Sequence, residues 1–507
     1  AISACLVGSE MCIRDRAIQE AGAVKSNKIK KSTVSDFMEI ERQRGISVAT
    51  SVMGFEYLGK KINILDTPGH KDFAEDTYRT LTAADSVIVV IDVAKGVEIQ
   101  TEKLVRVCKM RNTPIIVFIN KLDREGKDPF DLLDEIEQKL EINVKPMSWP
   151  IGIGNNFKGI YNIYNKSLLF YDPNFTKKVN NSITIKNLFE KDLKIKIDKE
   201  QINILREDIE LIESVYDKFD SKKYLSGDLS PIFFGSALNT FGVQELLDSF
   251  IKISPYPLPR ESQNRKVYPN EEKFSGFIFK IHANMDPKHR DRIAFLKVVS
   301  GIFKRNYSYK HVRLNKNIKF STPTAFMSSK KSIIEYAYPG DIVGIHDTGN
   351  FKIGDSVTEG EFIKFKGIPS FSPELFRFIV NTDPMKSKQL SKGISQLMDE
   401  GVAQLFTMVS SGRKLIGTVG PLQFDVIQFR LKHEYGAACD YENFDIYKAC
   451  WVSSKNKNTI EEFKKFKYRS IAEDKFGRLV FMADSEFAIR IARDKFEDIN
   501  FHFTSEF

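Results

Sequence analysis

Between residues 62 and 250, short β-branched runs alternate with helical patterns, and few folds accept that order. Residues 62–65, 86–92, 115–120 and 231–234 are nearly all apolar, as strands buried on both faces of a parallel sheet must be. The segments between them, 72–84, 99–111 and 129–140, carry helical periodicity. The last has Asp128 in position to cap it and Pro129 at its first helical residue. The pattern predicts a doubly wound α/β domain. A Lys- and Asn-rich stretch, about 157–227, interrupts the alternation with one good amphipathic helix near 200–219, and reads as an insertion.

The run Ser254-Pro255-Tyr256-Pro257-Leu258-Pro259 cannot continue a helix, because each proline lacks an amide donor and restrains the residue before it. It marks a domain boundary. Beyond it, 274–280, 293–299 and 342–345 predict short strands with turns at Pro339-Gly340-Asp341 and Gly354-Asp355, which suits a small β-barrel. From about Gly367 the pattern turns mixed: 387–400 helical, 415–419 extended, 421–435 helical. The chain therefore reads as three units, α/β then β then α+β, over 17–258, 259–366 and 367–507. Its 507 residues exceed what one core accommodates, in agreement.

Composition removes several classes. Hydrophobic residues at 42% and charged residues at 28% exclude a disordered chain. No apolar run reaches the ~18 residues a membrane helix needs, and the N-terminus lacks the order of a signal peptide. A cytoplasmic protein with no membrane partner is expected. The five cysteines form no CxxC pair and are expected to be reduced thiols. A net charge of +9 is compatible with a large polyanionic partner.

Three motifs end apolar strands in order. Asp66-Thr67-Pro68-Gly69-His70 puts a carboxylate and a glycine at a carboxyl sheet edge, where such folds bind ligands. An aspartate there can hold Mg²⁺ through water, and the glycine lets its backbone N–H approach a terminal phosphate. Asn120-Lys121-Leu122-Asp123 gathers an amide, a cation and a carboxylate on one loop. A carboxylate accepts both N1–H and N2–H of guanine, whereas adenine offers no matching pair. Gly235-Ser236-Ala237-Leu238 can add backbone amides for the guanine carbonyl.

Together these motifs resemble the signature of GTPases, and Gln43-Arg44-Gly45-Ile46-Ser47 with His70 is similar to the translational subgroup. Further stretches, Ser35 to Glu39, Asp76 to Thr82, Asn284 to Arg292, Gly367 to Phe376 and Gly420 to Asp425, resemble the peptide chain release factor 3 family over residues 17–507. That resemblance implies a P-loop-type GTPase domain followed by a translation-factor barrel and an α+β domain. It implies GTP and GDP as ligands, Mg²⁺ held by Ser47 and Asp66, and His70 orienting the attacking water. The implied partners are the ribosome and class I release factors, which such a protein ejects after peptide release while itself monomeric off the ribosome. The rival family, elongation factor G and its ribosome-protection relatives, carries further C-terminal domains for which no chain remains. The basic run Lys288 to Arg292 is a candidate contact for ribosomal RNA, or else a charged turn.

One element of the pattern is missing. A phosphate loop ends in Gly-Lys-Thr or Gly-Lys-Ser, and neither sequence occurs in the chain. Residues 1–16 do not resemble the family, and CLVGSEMCIRDR (Cys5 to Arg16) forms no convincing strand and loop. It reads as translated adaptor sequence. The expectation is a chain without its first strand, with an exposed apolar edge beside 62–65 and little GTP hydrolysis. Were the segment native, the chain would be a ribosome-binding scaffold without hydrolysis.

Overall fold

The computed structural model describes residues 2–7, 40–41, 47–170, 182–184, 198–239, 241–283, 292–327, 330–367 and 372–504. Its first unit holds strands β1 (Ile2–Val7), β2 (Ser51–Tyr57), β3 (Lys60–Asp66), β4 (Ser86–Asp92), β5 (Ile115–Asn120), β6 (Asn143–Pro146) and β11 (Leu229–Phe234). They lie in the order β2-β3-β1-β4-β5-β11-β6, all parallel except the β2–β3 hairpin. Alternate residues of one strand enter opposite cores. Val87, Val89 and Ile91 pack in one cluster, Ile88 and Val90 in the other, and Cys5 with Val7 and Ala4 with Leu6 divide the same way. Burial on both faces is why these strands read as unbroken apolar runs.

The first strand is present, which corrects the expectation drawn from residues 5–16. β1 pairs β3 through Ile2↔Ile62 to Leu6↔Asp66 and β4 through Ala4↔Ser86 to Val7↔Val89, so β3 has no open edge. The strand begins before Cys5 and ends at Val7. Six apolar and small residues are too few to show a period, and reading from Cys5 onward joined half a strand to the polar segment after it.

Around this sheet stand α1 (Ala74–Leu81), α2 (Ile99–Met110), α3 (Pro129–Leu140), α4 (Lys199–Val215), α5 (Ser221–Leu225) and α6 (Val243–Ile253). Asp128 caps α3 as its sequence implies, accepting from the Phe130 N–H at 2.8 Å and the Asp131 N–H at 3.4 Å. The insertion carries more than one helix. β8 (Gly159–Asn162), β9 (Ser167–Phe170) and β10 (Ser182–Thr184) form a separate antiparallel sheet with β7 (Ser148–Ile151), which precedes the insertion, each strand too short to show alternation.

The barrel strands include Ser275–Ala283, Arg292–Ser300, Thr324–Met327 and Ile342–His346, and a single bridge, Met327↔Gly54, joins their sheet to β2. A buried charge cluster fastens barrel to α/β unit. Lys297 donates from Nζ to Asp85 Oδ2 (2.7 Å), Ser3 Oγ (2.8 Å) and the Gly340 carbonyl (3.0 Å). Asp85 Oδ1 accepts from Arg260 (2.9 Å) and from the Leu258 N–H within the proline run (3.0 Å). Burial pushes the Lys297 ammonium below its ordinary pKa, and Asp85 pulls it back.

The last unit is an eight-stranded sheet with α7 (Ser387–Asp399), α8 (Pro421–Tyr435), α9 (Lys457–Phe466) and α10 (Glu486–Lys495). Buried Arg430 on α8 pairs with Glu400 (2.7 Å) and Glu434 (2.7 Å). Among the described residues no helix is long and apolar enough to cross a membrane, and the four described cysteines are buried and unpaired.

Candidate nucleotide site

Strands β4 and β5 end side by side and β3 ends on the same edge with β1 between it and β4, and each of the three ends in a polar residue: Asp66, Asp92 and Asn120. Asp92 stands opposite Asn120 in the register. The three predicted motifs leave the sheet along this one edge, the third of them as the turn after β11.

Asn120 joins two of them. Its Oδ1 accepts from the Ala237 N–H and from the Lys121 N–H, both at 2.8 Å, so one buried amide fixes the 120–123 loop against the 235–238 turn. Lys121 takes a left-handed φ of 71°, uncommon for a side chain with a Cβ, and reaches Asp92 Oδ2 at 2.7 Å. Burial opposes ionisation of Asp92, but hydrogen bonds from Lys121 and the Ala94 N–H outweigh it and hold this carboxyl below its usual range. Asp92 was not foreseen from sequence; its place at the end of the strand beside Asn120 is the signal that could have found it. The Leu122 N–H donates to the Gly235 carbonyl at 3.3 Å. Asp123 Oδ1 accepts from Ser236 Oγ at 2.5 Å. Gly235 is required by space, since a Cβ there would stand 2.5 Å from the Phe241 carbonyl oxygen. Leu238, by contrast, is largely exposed.

After β3, Thr67 is tied to the first strand, its N–H and Oγ1 both donating to the Leu6 carbonyl at 3.2 and 2.8 Å. Pro68 accepts from Thr77 Oγ1 at 3.2 Å. His70 caps the 3₁₀ turn Lys71–Phe73: its Nδ1 accepts from the Asp72 N–H at 3.2 Å, and its side chain is 38% exposed. A neutral ring with Nδ1 so engaged carries its proton on Nε2. Ser47, half-buried, lies four residues before Ser51, which faces Asp66 across the β2–β3 pair.

The chain around Ser47 is anchored on both sides. Glu41 accepts from the Val48 and Ala49 N–H groups, and Asp76 on α1 accepts from Thr50 N–H (2.6 Å) and Oγ1 (2.7 Å). Asp76 also pairs with Lys280 of the barrel at 2.7 Å. Burial works against its charge, yet Lys280 and Thr50 hold the Asp76 carboxyl below its ordinary value. Its stabilising contribution is therefore complete above an unfolded-state pKa of about 4 and disappears as pH falls through the lower folded value. Asp76→Asn should lower the unfolding midpoint at neutral pH, and the gap to the parent should narrow toward the acid end of a thermal series run from about pH 7 to about pH 3.

Of the candidate RNA contact, Arg292 is excluded by burial: it is paired with Asp347 (2.6 Å) and Asp399 (2.8 Å). Lys288, His289, Arg290 and Asp291 lie outside the described residues, as do residues 8–39 that follow β1.

Comparison with known proteins adds the family. The elongation factor Tu GTP binding domain matches residues 10–256, so it begins inside the segment expected to be foreign. Elongation factor G domain 2 matches 273–360, and the C-terminal domain of class II release factor RF3 matches 365–493. A crystal structure of a Thermus thermophilus protein is similar in fold, with a TM-score of 0.71 at 18% identity over 90% of this chain and 70% of its own. A GTP-binding domain of elongation-factor type, a factor G-type barrel and a release factor C-terminal domain follow one another in this order, and the chain belongs to the release factor 3-type translational GTPases.

Proposed function

We propose that this protein uses GTP on the ribosome to drive class I release factors off after the peptide has been freed. The observation that carries the reading is the match of the release factor 3 C-terminal domain over residues 365–493, behind a guanine-type site whose two base-side loops share one hydrogen-bond network. Asp123 accepts the N1–H and N2–H pair of guanine, while Asn120 holds the Ser236-Ala237-Leu238 turn beside the base through the Ala237 N–H. Gly69 offers its N–H to the terminal phosphate. Asp66 and Ser47 supply hard oxygen donors, which suit Mg²⁺; that ion takes one or two protein oxygens and keeps phosphate and water for the rest. Bound there, it would neutralise charge on the phosphates. His70 presents Nε2–H as a donor, so it positions the attacking water through the water's oxygen.

Residues 8–16 carry no Gly-Lys-Ser or Gly-Lys-Thr, and we propose that a chain with this segment hydrolyses GTP poorly for that reason. A version in which a Gly-Lys-Thr phosphate loop replaces them provides the comparison. On reconstituted post-release ribosomes, the loop-bearing chain with GTP should speed departure of a labelled class I release factor without moving tRNA. Movement of tRNA and messenger would support an elongation-factor reading instead, and departure without GTP a scaffold. The chain that keeps residues 8–16 should show little GTP-dependent departure.

A further inference from the structure

Asp72 stands where two domains and the candidate catalytic histidine meet. It is 1% exposed and bonds in two directions. Its backbone N–H holds His70 Nδ1, and its Oδ2 accepts from the Leu422 N–H at 2.8 Å, which satisfies one of the open amides at the start of α8. A carboxylate of the α/β unit thus caps a helix of the C-terminal unit. The helix lacks a side-chain cap of its own kind, because residue 420 is glycine. That glycine is required by the contact rather than by its backbone. Its φ of −146° suits any residue, but a Cβ would stand 2.1 Å from the Asp72 carboxyl carbon.

The remaining oxygen, Oδ1, is buried with no hydrogen-bond partner among the described residues, and lies 3.4 Å from His70 Nδ1. A buried carboxylate oxygen left this way is costly, and His70 Nδ1, engaged as an acceptor of the Asp72 N–H, does not satisfy it. Asp72 therefore cannot shift without moving either His70 or the first turn of α8.

We propose that Asp72 is a positioning residue through which docking of the C-terminal domain sets the orientation of His70. It rests on the hydrolytic reading of His70 only for its consequence, since the coupling itself is a matter of geometry. When α8 is seated, its Leu422 amide fixes the Asp72 carboxylate, and the backbone N–H of the residue so held fixes the ring. When α8 is withdrawn, the carboxylate is released to solvent and His70 loses its fixed partner. Water positioning is sensitive to such movement, because an ångström of misplacement can cost roughly 10²-fold in rate.

The test perturbs the two ends separately. His70 is one of seven histidines, so its ring signal can be followed by NMR in the full chain labelled at histidine Cε1 and assigned with His70→Gln. Gly420→Ala, which pushes on Asp72 from the other domain, and Asp72→Ala should each displace the His70 signal and leave those of His346 and His502 in place. An unchanged His70 signal in both variants overturns the proposal. So does displacement in Asp72→Ala alone, which would make Asp72 local to His70 and independent of docking. In the loop-bearing chain, Gly420→Ala should also lower ribosome-stimulated kcat by roughly 10-fold or more with KM for GTP unchanged. A displaced ring signal with unaltered kcat upholds the coupling and removes the hydrolytic role of His70, so the two failures are distinct.

Discussion

Asp123→Ala in the loop-bearing chain is expected to weaken GDP binding by roughly 10³-fold, about 4 kcal/mol, while ATP binding stays as weak as before. The Asp123 carboxylate accepts from Ser236 Oγ at 2.5 Å on Oδ1. Two carboxylate oxygens provide about four acceptor sites, so the guanine N1–H and N2–H can be accommodated beside the serine. Truncation leaves those two donors unpaired and deprives Ser236 of a charged acceptor. Asp123→Asn should fail differently. Its amide gives one acceptor and one donor, so it rejects guanine yet suits a base with a carbonyl in place of the 2-amino group, as in xanthine. Competition titration with a fluorescent GDP analogue reads both. Unaltered GDP affinity in Asp123→Ala, or equal binding of ATP by the parent, would remove Asp123 from base recognition.

The largest expected loss of stability comes from Asp85→Ala. This carboxylate is fully buried and compensates Lys297 and Arg260 while accepting the Leu258 amide. Taking it away strands a buried ammonium, which typically costs about 3–5 kcal/mol. The charge itself is not what stability requires. Replacing Asp85 with Asn and Lys297 with Met together should recover much of the loss, since a buried pair and a packed apolar substitute are often near parity. Denaturant unfolding of the two variants beside the parent decides it. A double variant as unstable as Asp85→Ala would mean that the Arg260 and Leu258 contacts dominate.

Sequence reading went furthest where strands are buried on both faces. Ser86–Asp92 and Ile115–Asn120 are unbroken apolar runs ended by polar residues, and both edges could be placed from the residues alone. Pro129–Leu140 and Pro421–Tyr435 announce themselves by a proline at their first residue. Short elements did not show. Gly159–Asn162 and Ser167–Phe170 have four residues each, too few for alternation to stand out, and β1 is obscured by the change of character after Val7. In the site, the motifs located Asn120, Asp123 and Ser236, but not that one amide would tie two loops. Asp92 and Asp72 escaped notice because their partners, Lys121 and Leu422, meet them only through the fold; Leu422 is 350 residues from Asp72.

The central position of β1 also bears on how the chain is made. Its partners in the sheet, β3 and β4, leave the ribosome well after it, and Ser3 must wait for Gly340, 337 residues further on. At about 5–20 residues per second that interval is roughly 15 to 70 seconds. β1 can take its place between β3 and β4 once β4 has emerged, so through that interval only the buried contacts of Ser3 with Lys297 and Gly340 stay open. The sheet can therefore close before the barrel appears, while docking of the barrel against Ser3 and Asp85 is deferred until Lys297 and Gly340 have emerged.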